Sequence, residues 1–235
     1  MTYGTIGIIG AMAEELELLF RSAEMGEETR KAGMTFRRGT LHGQPILAVK
    51  SGVGKVNAAV CTQALVDLGA DCVLFTGVAG AIDPELRIGD IVVSTACIQH
   101  DMDVTALGFG PGVIPYQEVS VFPADAELVE LAAEAGQSAA KGKAIRGIVL
   151  SGDQFIASRD KVQQLRDSFG GACAEMEGAA VAQVCHLNEV PYVVIRSMSD
   201  QADGSAHMNF EEFTMLAANQ SFQVIDAMIR RLSRG

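Results

Sequence analysis

The chain has 235 residues, 49% of them hydrophobic, which is enough to bury a sizeable core. Its formal net charge of −11 and its scattered lysines and arginines argue against an extended nucleic-acid-binding surface. No apolar stretch approaches the roughly 18 residues that span a bilayer, and no signal peptide is recognisable, so we expect a cytoplasmic protein.

The hydrophobic pattern predicts strands and helices that alternate along the chain. In the first half these are a buried strand, an amphipathic helix, an antiparallel hairpin around His42-Gly43, a helix ending at Gly69 and two central strands, at 5–10, 13–25, 34–52, 55–69, 71–77 and 89–100. Residues 101–120, rich in Gly and Pro, are predicted to form a long loop. The second half reads as helix, strand, helix, helix, strand and long helix, at 125–139, 145–151, 159–168, 176–188, 192–199 and Asn209 to about Leu232.

This alternation predicts one α/β domain over residues 1–235, with a mixed sheet and helices on both sides. Ligands of open α/β sheets bind beyond the carboxyl ends of the strands. That rule directs attention to residues 10–15, 77–80, 152–156 and 196–203.

Carboxylates lie near three predicted strand ends, in apolar surroundings. They are Glu14 with Glu15, Glu175 with Glu177, and Asp200, which follows Arg196 on the same strand. Any one of them has a structural explanation, because acids in a first helical turn favour the helix dipole and Arg196 can neutralise an acid. Three such places at one predicted edge favour a functional site, since an unpaired buried ion is costly.

Helical spacing distinguishes the acids near the N-terminus. An apolar face would be centred on Met12, Leu16, Leu19 and Phe20. On that wheel Glu15 lies at the margin of the face, whereas Glu14 and Glu17 point to solvent.

Three further patterns resemble binding motifs but match them poorly. Gly4, Gly7 and Gly10 have the spacing GxxGxxG, and "SGVGKV" (51–56) lacks the first glycine and the final Ser or Thr of a phosphate-binding loop, so tight turns explain these glycines better. "HDMD" (100–103) is compatible with a metal, but a third firm ligand cluster is missing, and we favour a loop and interface role.

Five cysteines occur without a CxxC pair, which predicts free, buried thiols of a cytoplasmic protein. They are Cys61, Cys72, Cys97, Cys173 and Cys185.

Eight short motifs follow one another over nearly the whole chain: "IGIIGAMAEE", "SGVGKVNAA", "TGVAGAI", "GDIVVS", "HDMDVTALG", "SGDQFI", "AEMEGAAVAQVC" and "RSMSDQAD". Together they resemble the 5′-methylthioadenosine/S-adenosylhomocysteine nucleosidases of the nucleoside phosphorylase superfamily. The resemblance implies a single α/β domain with a twisted mixed sheet, a homodimer, and hydrolysis of the N-glycosidic bond that releases adenine. It implies no cofactor and no metal.

The resemblance also implies roles for single residues. Glu15 would activate water, with Arg196 near both of them. Asp200, with Ser199 beside it, would protonate adenine N7, and Glu177 would bind the ribose hydroxyls. The remaining implied substrate contacts are Phe155 and the Ile156 backbone at adenine, Met12, Val53, Val78, Ala79, Gly80, Met176 and Phe210 along the pocket, and Leu107 and Pro115 reaching into the partner subunit's pocket.

Two positions depart from the family pattern. Many members have Ser where this chain has Val78, and Phe where it has Leu107. The first change removes a polar group near the acids, and the second reshapes the alkylthio end, so the preference among related nucleosides stays open.

Other functions on the same scaffold also stay open. A phosphate-dependent purine nucleoside phosphorylase would need basic residues or hydroxyls where Glu15 lies, because a carboxylate repels phosphate. A 6-amino-6-deoxyfutalosine hydrolase is compatible with Val78 and Leu107. A non-catalytic nucleoside-binding protein would be expected to lack one of Glu15, Glu177 and Asp200, yet all three are present.

Overall fold

A computed structural model describes residues 3–139, 141–202 and 206–233. Over these ranges the strands are β1 (Ile6–Gly10), β2 (Glu24–Lys31), β3 (Met34–Leu41), β4 (Gln44–Lys50), β5 (Cys72–Ala81), β6 (Ile91–Gln99), β7 (Val121–Pro123), β8 (Ala144–Ser151), β9 (Gly171–Glu175) and β10 (Tyr192–Asp200). The helices are α1 (Glu17–Ser22), α2 (Lys55–Asp67), α3 (Ala126–Ala139), α4 (Arg159–Phe169), α5 (Gly178–Leu187) and α6 (Ala206–Leu232).

The strands form one mixed sheet in the order β10-β6-β8-β9-β5-β1-β4-β3-β2, and β7 pairs with β6. Because β10 also pairs with β5, the strands β5, β10, β6, β8 and β9 close into a ring. Strand β5 makes this closure possible by changing its neighbour along its length. Its first half pairs with β1, and its last residues, Gly80 and Ala81, pair with β9.

Helices cover both faces of the sheet, as the sequence predicts. Helices α2 and α5 pack in one apolar cluster with Phe75 and Val194. Helices α1, α3 and α6 pack in a second cluster with Ile8, Leu74 and Ile195. Neighbouring residues of β5 and β10 thus point to opposite clusters, and both strands are buried on their two faces.

Local signals set several boundaries where the sequence predicts them. The hairpin of β3 and β4 turns at His42 and Gly43, whose φ angles of 52° and 80° fit a two-residue hairpin turn. Helix α3 begins after Asp125, whose carboxylate accepts hydrogen bonds from the Glu127 and Leu128 N–H groups at 3.1 and 2.9 Å.

The helix predicted over 13–25 is wrong in extent. Residues 11–16 form turns, α1 begins only at Glu17, and β2 already starts at Glu24. The Glu15 side chain binds the backbone N–H groups of Ala11 and Met12, so this segment is held by a side chain instead of by helical bonding. Strand β2 was hidden because its charged edge sequence, EMGEETRK, lacks a strand-like alternation.

Other elements differ from the sequence predictions at their ends. Strands β7 and β9 were not predicted, and they are short, at three and five residues. Glu175 therefore ends a strand, and Glu177 precedes the first residue of α5 instead of lying inside it. Helix α6 begins at Ala206, three residues before the predicted start at Asn209.

All five cysteines are free and buried, as the sequence predicts. Across the described ranges, no helix combines the length and the apolar character that a bilayer-spanning segment requires.

Candidate active site

The carboxyl ends of β1, β8, β9 and β10 meet the last residues of β5 and the turn after β4 around one cavity. It encloses about 620 Å³ of space, part of which is open to solvent. Its lining residues are Ala11, Met12, Glu15, Val53, Val78, Ala79, Gly80, Gln154, Phe155, Ile156, Ala174, Glu175, Met176, Glu177, Ser199, Asp200, Ala202 and Phe210.

Glu15 is buried at the floor of this cavity. One carboxylate oxygen accepts the N–H groups of Ala11 and Met12 at 2.6 and 2.9 Å, and the other accepts the N–H of Val78 at 3.0 Å. Burial raises the pKa of Glu15 above its usual value, although Arg196 and the three N–H groups favour the charged form. Glu14 is exposed, as the helical wheel predicts, but Glu15 is far more buried than a position at the helix margin would be.

Gly77 allows Glu15 and Arg196 to approach each other. A Cβ atom at this position would lie 2.3 Å from both Glu15 Oε1 and Arg196 Nη1. The two groups therefore flank one glycine of β5, and any side chain there would push them apart.

Arg196 lies behind the lining residues, fully buried and surrounded by carboxylates. It forms an ion pair with Glu175, lies 3.9 Å from Glu177 Oε2, and stacks on the Phe75 ring with its guanidinium carbon 3.8 Å from the centroid. Burial lowers the pKa of Arg196, but Glu175, Glu15 and Glu177 raise it overall, so the guanidinium stays charged. Its Nε and Nη1 atoms make no hydrogen bond to any described protein atom.

Glu177 projects from the end of β9 toward the turn after β4. Its Oε1 atom accepts the Gly54 N–H at 2.7 Å. Burial and the neighbouring Glu175 carboxylate raise the pKa of Glu177 to about 8, against the opposing effects of Arg196 and the Gly54 N–H. A carboxyl group with that pKa holds its proton for most of the time at neutral pH.

Asp200 ends β10 on the other side of the cavity. Its carboxylate accepts the Ser199 hydroxyl at 2.9 Å and the Ala202 N–H at 2.7 Å. A Cβ atom at Gly80 would lie 2.8 Å from Asp200 Oδ1, so this second glycine of β5 makes room for the second acid.

Two aromatic rings and an apolar patch complete the cavity. Phe155 is 50% exposed and meets the edge of the Phe210 ring at 5.7 Å between centroids. The Val78 side chain packs with Ala217 and Ala218, while its N–H binds Glu15. The predicted loss of a polar side chain at position 78 thus leaves the backbone donor to Glu15 in place.

Thirteen of the sixteen residues that the sequence proposes for the site line this cavity, and three do not. Arg196 reaches it only from behind, through Glu15, Glu175 and Glu177. Leu107 and Pro115 belong to the loop between β6 and β7 and are not among the cavity-lining residues of this chain, and Leu107 is 68% exposed.

Glu175 is the main residue to which sequence reasoning gave no role. It binds Arg196, the Ser151 hydroxyl and the Gly178 N–H, so it neutralises the guanidinium and holds the start of α5. In the sequence, Glu175 stands out only as an acid directly after an apolar run, in "CAEMEG". Its role as a counter-ion becomes evident only when the structure places Arg196 next to it. The further lining residues that were missed are Ala11, Gln154, Ala174 and Ala202.

The "HDMD" segment gives no sign of a metal centre. Within the described part of the chain, no three His, Cys, Asp or Glu side chains are arranged to hold an ion. Asp101 instead binds Lys55 Nζ at 2.6 Å.

The raised pKa of Glu177 predicts a distinctive pH dependence of stability. The unfolded chain releases this proton near the usual Glu value of 4.5, whereas the folded protein keeps it until about pH 8, so this group lowers the free energy of unfolding as pH rises between those values. Glu177→Gln should therefore be more stable than the wild type near pH 9, by about 2–4 kcal/mol, and equal to it near pH 4.

Chemical denaturation across this pH range measures the difference. Glu118→Gln, at an exposed glutamate, is the control and should follow the wild-type profile. Parallel profiles for Glu177→Gln and the wild type would contradict the assignment of the raised pKa.

A protein-family model and the sequences of known proteins show which proteins this chain is similar to. The model of the phosphorylase superfamily matches residues 5–230. A 5′-methylthioadenosine/S-adenosylhomocysteine nucleosidase of Haemophilus influenzae (strain 86-028NP) is 44% identical over 97% of this chain and 99% of its own length.

Two solved structures share the whole fold. One is the 5′-methylthioadenosine/S-adenosylhomocysteine nucleosidase from Neisseria meningitidis in complex with methylthio-immucillin-A. It is 36% identical to this chain, with a TM-score of 0.92, and the match covers 97% of this chain and 100% of that chain. Futalosine hydrolase of Helicobacter pylori strain 26695 is 35% identical, with a TM-score of 0.91 and coverage of 97% and 98%. The chain therefore belongs to the phosphorylase superfamily and, within it, to the 5′-methylthioadenosine/S-adenosylhomocysteine nucleosidase family.

Proposed function

We propose that this protein hydrolyses the N-glycosidic bond of 5′-methylthioadenosine and S-adenosylhomocysteine, releasing adenine and the 5-thioribose product. The observation that carries the proposal is the charge of the cavity. Its described lining contains four acids, Glu15, Glu175, Glu177 and Asp200, and no Lys, Arg or His. Such a lining repels phosphate and accommodates water, which favours hydrolysis over phosphorolysis.

The leaving base needs a proton, and we assign that step to Asp200. Proton donation to adenine N7 removes the negative charge that would otherwise develop on the departing base. Ser199 donates to one Asp200 oxygen and the Ala202 N–H to the other, which fixes the orientation of the acid. Phe155 offers its exposed face for stacking on the adenine ring, and the backbone of Ile156 reads the edge of the base.

Water must attack from the opposite face of the sugar, and we assign its activation to Glu15. The raised pKa of this carboxylate makes it a stronger base than an exposed glutamate. Arg196 Nη1 lies beside Glu15 Oε1 at Gly77, behind the lining residues, so the guanidinium favours the charged form of this base. Three backbone N–H groups keep the carboxylate in place during the reaction.

The sugar must be held in place while the bond breaks, and we assign this hydroxyl contact to Glu177. The carboxyl group binds the ribose hydroxyls while Gly54 holds its other side. The remaining apolar part of the cavity suits the thioether substituent, through Met12, Val53, Met176 and Phe210, beside the backbone of Val78, Ala79 and Gly80.

A second candidate is hydrolysis of 6-amino-6-deoxyfutalosine. The similarity to a futalosine hydrolase structure, at a TM-score of 0.91, supports it. The same acids would serve this reaction, because the bond broken is again an N-glycosidic bond, and only the group at the sugar 5′ position differs.

An adenine-release assay tests the function. Methylthioadenosine, S-adenosylhomocysteine and aminofutalosine are compared in parallel, each with and without phosphate. We expect release from the first two at a rate that does not depend on phosphate. A rate that requires phosphate would establish a phosphorylase, and release from aminofutalosine alone would favour the second candidate.

We also propose a homodimer in which Leu107 and Pro115 complete the partner subunit's pocket. Apolar side chains on α2 and α5 are exposed, notably Val56 (75%), Val60 (43%) and Leu187 (66%). A helix that is apolar on both its core side and its outer side is typical of one buried between two partners. The loop that carries Leu107 is adjacent, since Gln117 Oε1 accepts a hydrogen bond from Gln183 Nε2 of α5 at 3.3 Å.

Val60→Glu should convert the dimer to a monomer and lower kcat/KM by about 10-fold or more, because each pocket then loses its partner's loop. Light scattering after size-exclusion chromatography and the adenine-release assay measure both effects. Gln164→Glu, on the exposed side of α4, is the control. A variant that remains dimeric with full activity would remove α2 from the interface.

A cytoplasmic location stays a prediction that rests on the five buried, unpaired thiols.

A further inference from the structure

Asp101, in the "HDMD" segment, joins two loops that border the cavity without lining it itself. Its Oδ1 atom accepts a hydrogen bond from Lys55 Nζ at 2.6 Å, and its Oδ2 atom accepts the Asp153 N–H at 2.9 Å. Lys55 follows the turn after β4, and Asp153 follows β8 two residues before Phe155. One side chain thus connects three strand ends.

A second contact closes this connection into a cycle. Asp153 Oδ1 accepts the Lys55 N–H at 2.8 Å, so Lys55 is held by its side chain through Asp101 and by its backbone through Asp153. A Cβ atom at Gly54 would lie 3.2 Å from Asp153 Oδ1, and Gly54 has a φ of 98°, so only glycine fits this approach easily.

The turn held in this way carries the backbone donor to Glu177. The Gly54 N–H, directly before Lys55, donates to Glu177 Oε1 at 2.7 Å. A shift of Lys55 would therefore move the donor that orients the Glu177 carboxyl group. The same shift would release Asp153, and with it the segment that carries Phe155.

The Asp101–Lys55 pair differs from an ordinary surface ion pair. The two side chains are only 15% and 17% exposed, and Lys55 Nζ also donates to Gln99 Oε1 at 3.0 Å. Burial raises the pKa of Asp101, yet the Lys55 ammonium and the Asp153 N–H together lower it below its usual value. The carboxylate is thus charged and fully bonded, as a fixed anchor requires.

We propose that Asp101 is a positioning residue, which sets Gly54 against Glu177 and Phe155 at the cavity through Lys55 and Asp153. The proposal rests on the proposed function for its kinetic consequence, but the geometry it describes is measurable without turnover. It gives the "HDMD" segment a role that requires neither a metal nor a partner subunit.

Asp101→Asn tests the proposal, because asparagine keeps the size of the side chain but offers only one oxygen for the two donors. We expect kcat/KM for methylthioadenosine to fall about 10- to 100-fold, as for a displacement of binding groups by a fraction of an ångström. We also expect the Gly54 amide to exchange with deuterium at least about 10-fold faster. The limb of the pH–rate profile that reports Glu177 should move to higher pH, because a weaker Gly54 hydrogen bond raises the pKa of this carboxyl group.

Asp67→Asn is the matched control, since it removes an exposed Lys–Asp pair of 2.7 Å at the opposite end of α2 from Lys55, and neither residue of that pair lines the cavity. It should change none of the three readouts. The proposal is overturned if Asp101→Asn keeps wild-type exchange at Gly54, whether or not turnover falls, or if exchange rises while turnover stays within twofold. If the wild type itself releases no adenine, the proposed function fails, and Gly54 exchange still decides whether Asp101 positions the turn.

Discussion

Asp200→Asn should reduce adenine release from methylthioadenosine by about 10³-fold while leaving the fold intact. Asparagine has the same shape and can still accept the Ala202 N–H, but it holds no proton that could pass to adenine N7. Because the base then departs as an anion, the barrier to bond cleavage rises.

Single-turnover kinetics measure this loss, and calorimetric titration with adenine measures whether the pocket still binds the product. We expect adenine affinity to stay within about tenfold of the wild type, since stacking on Phe155 is unaffected. Asp167→Asn, at an exposed aspartate of α4, is the control for the substitution itself. Near-normal turnover of Asp200→Asn would exclude Asp200 as the acid.

Glu15→Gln should lower turnover by about 10²- to 10⁴-fold, since an amide cannot take a proton from water. The substitution also disturbs the floor of the cavity. Both oxygens of Glu15 accept N–H groups, and the glutamine NH₂ group must face one of those donors. We therefore expect a lower free energy of unfolding together with the kinetic loss.

Glu14→Gln distinguishes the role of Glu15 from that of its neighbour. Glu14 is exposed and should tolerate the change with activity and stability close to the wild type. Steady-state kinetics and denaturant unfolding of both variants give the comparison. Full activity in Glu15→Gln would remove its role, and equal losses in both variants would show that the effect belongs to the turn as a whole.

The predictable parts of this fold are those set by local chemistry. The hairpin at His42 and Gly43 follows from residues that accept positive φ, and β5 and β10 follow from continuous apolar runs. The segment after β1 was mispredicted because its conformation depends on a contact between Glu15 and Val78, 63 residues away in the chain. No periodicity in either segment encodes such a contact.

The candidate site also combines residues that the sequence predicts with residues whose roles only the three-dimensional structure reveals. Acids after apolar runs marked Glu15, Glu177 and Asp200 as candidates, because an unpaired buried carboxylate demands an explanation. The burial of Arg196 behind them, and the role of Glu175 as its main counter-ion, depend on β9 lying between β5 and β8. That neighbour relation comes from the closed ring of strands, which the sequence pattern does not reveal.

The closed ring also bears on how this protein avoids self-association through its backbone. Because the ring is closed, β10 has a neighbouring strand on each side. Within the described residues, the long strand with one unpaired edge is therefore β2. That strand has the sequence EMGEETRK, in which five of eight side chains are charged. Charged and hydrated side chains discourage a second chain from adding a strand there, so the strand that the fold leaves exposed for intermolecular pairing is one that accepts a partner poorly.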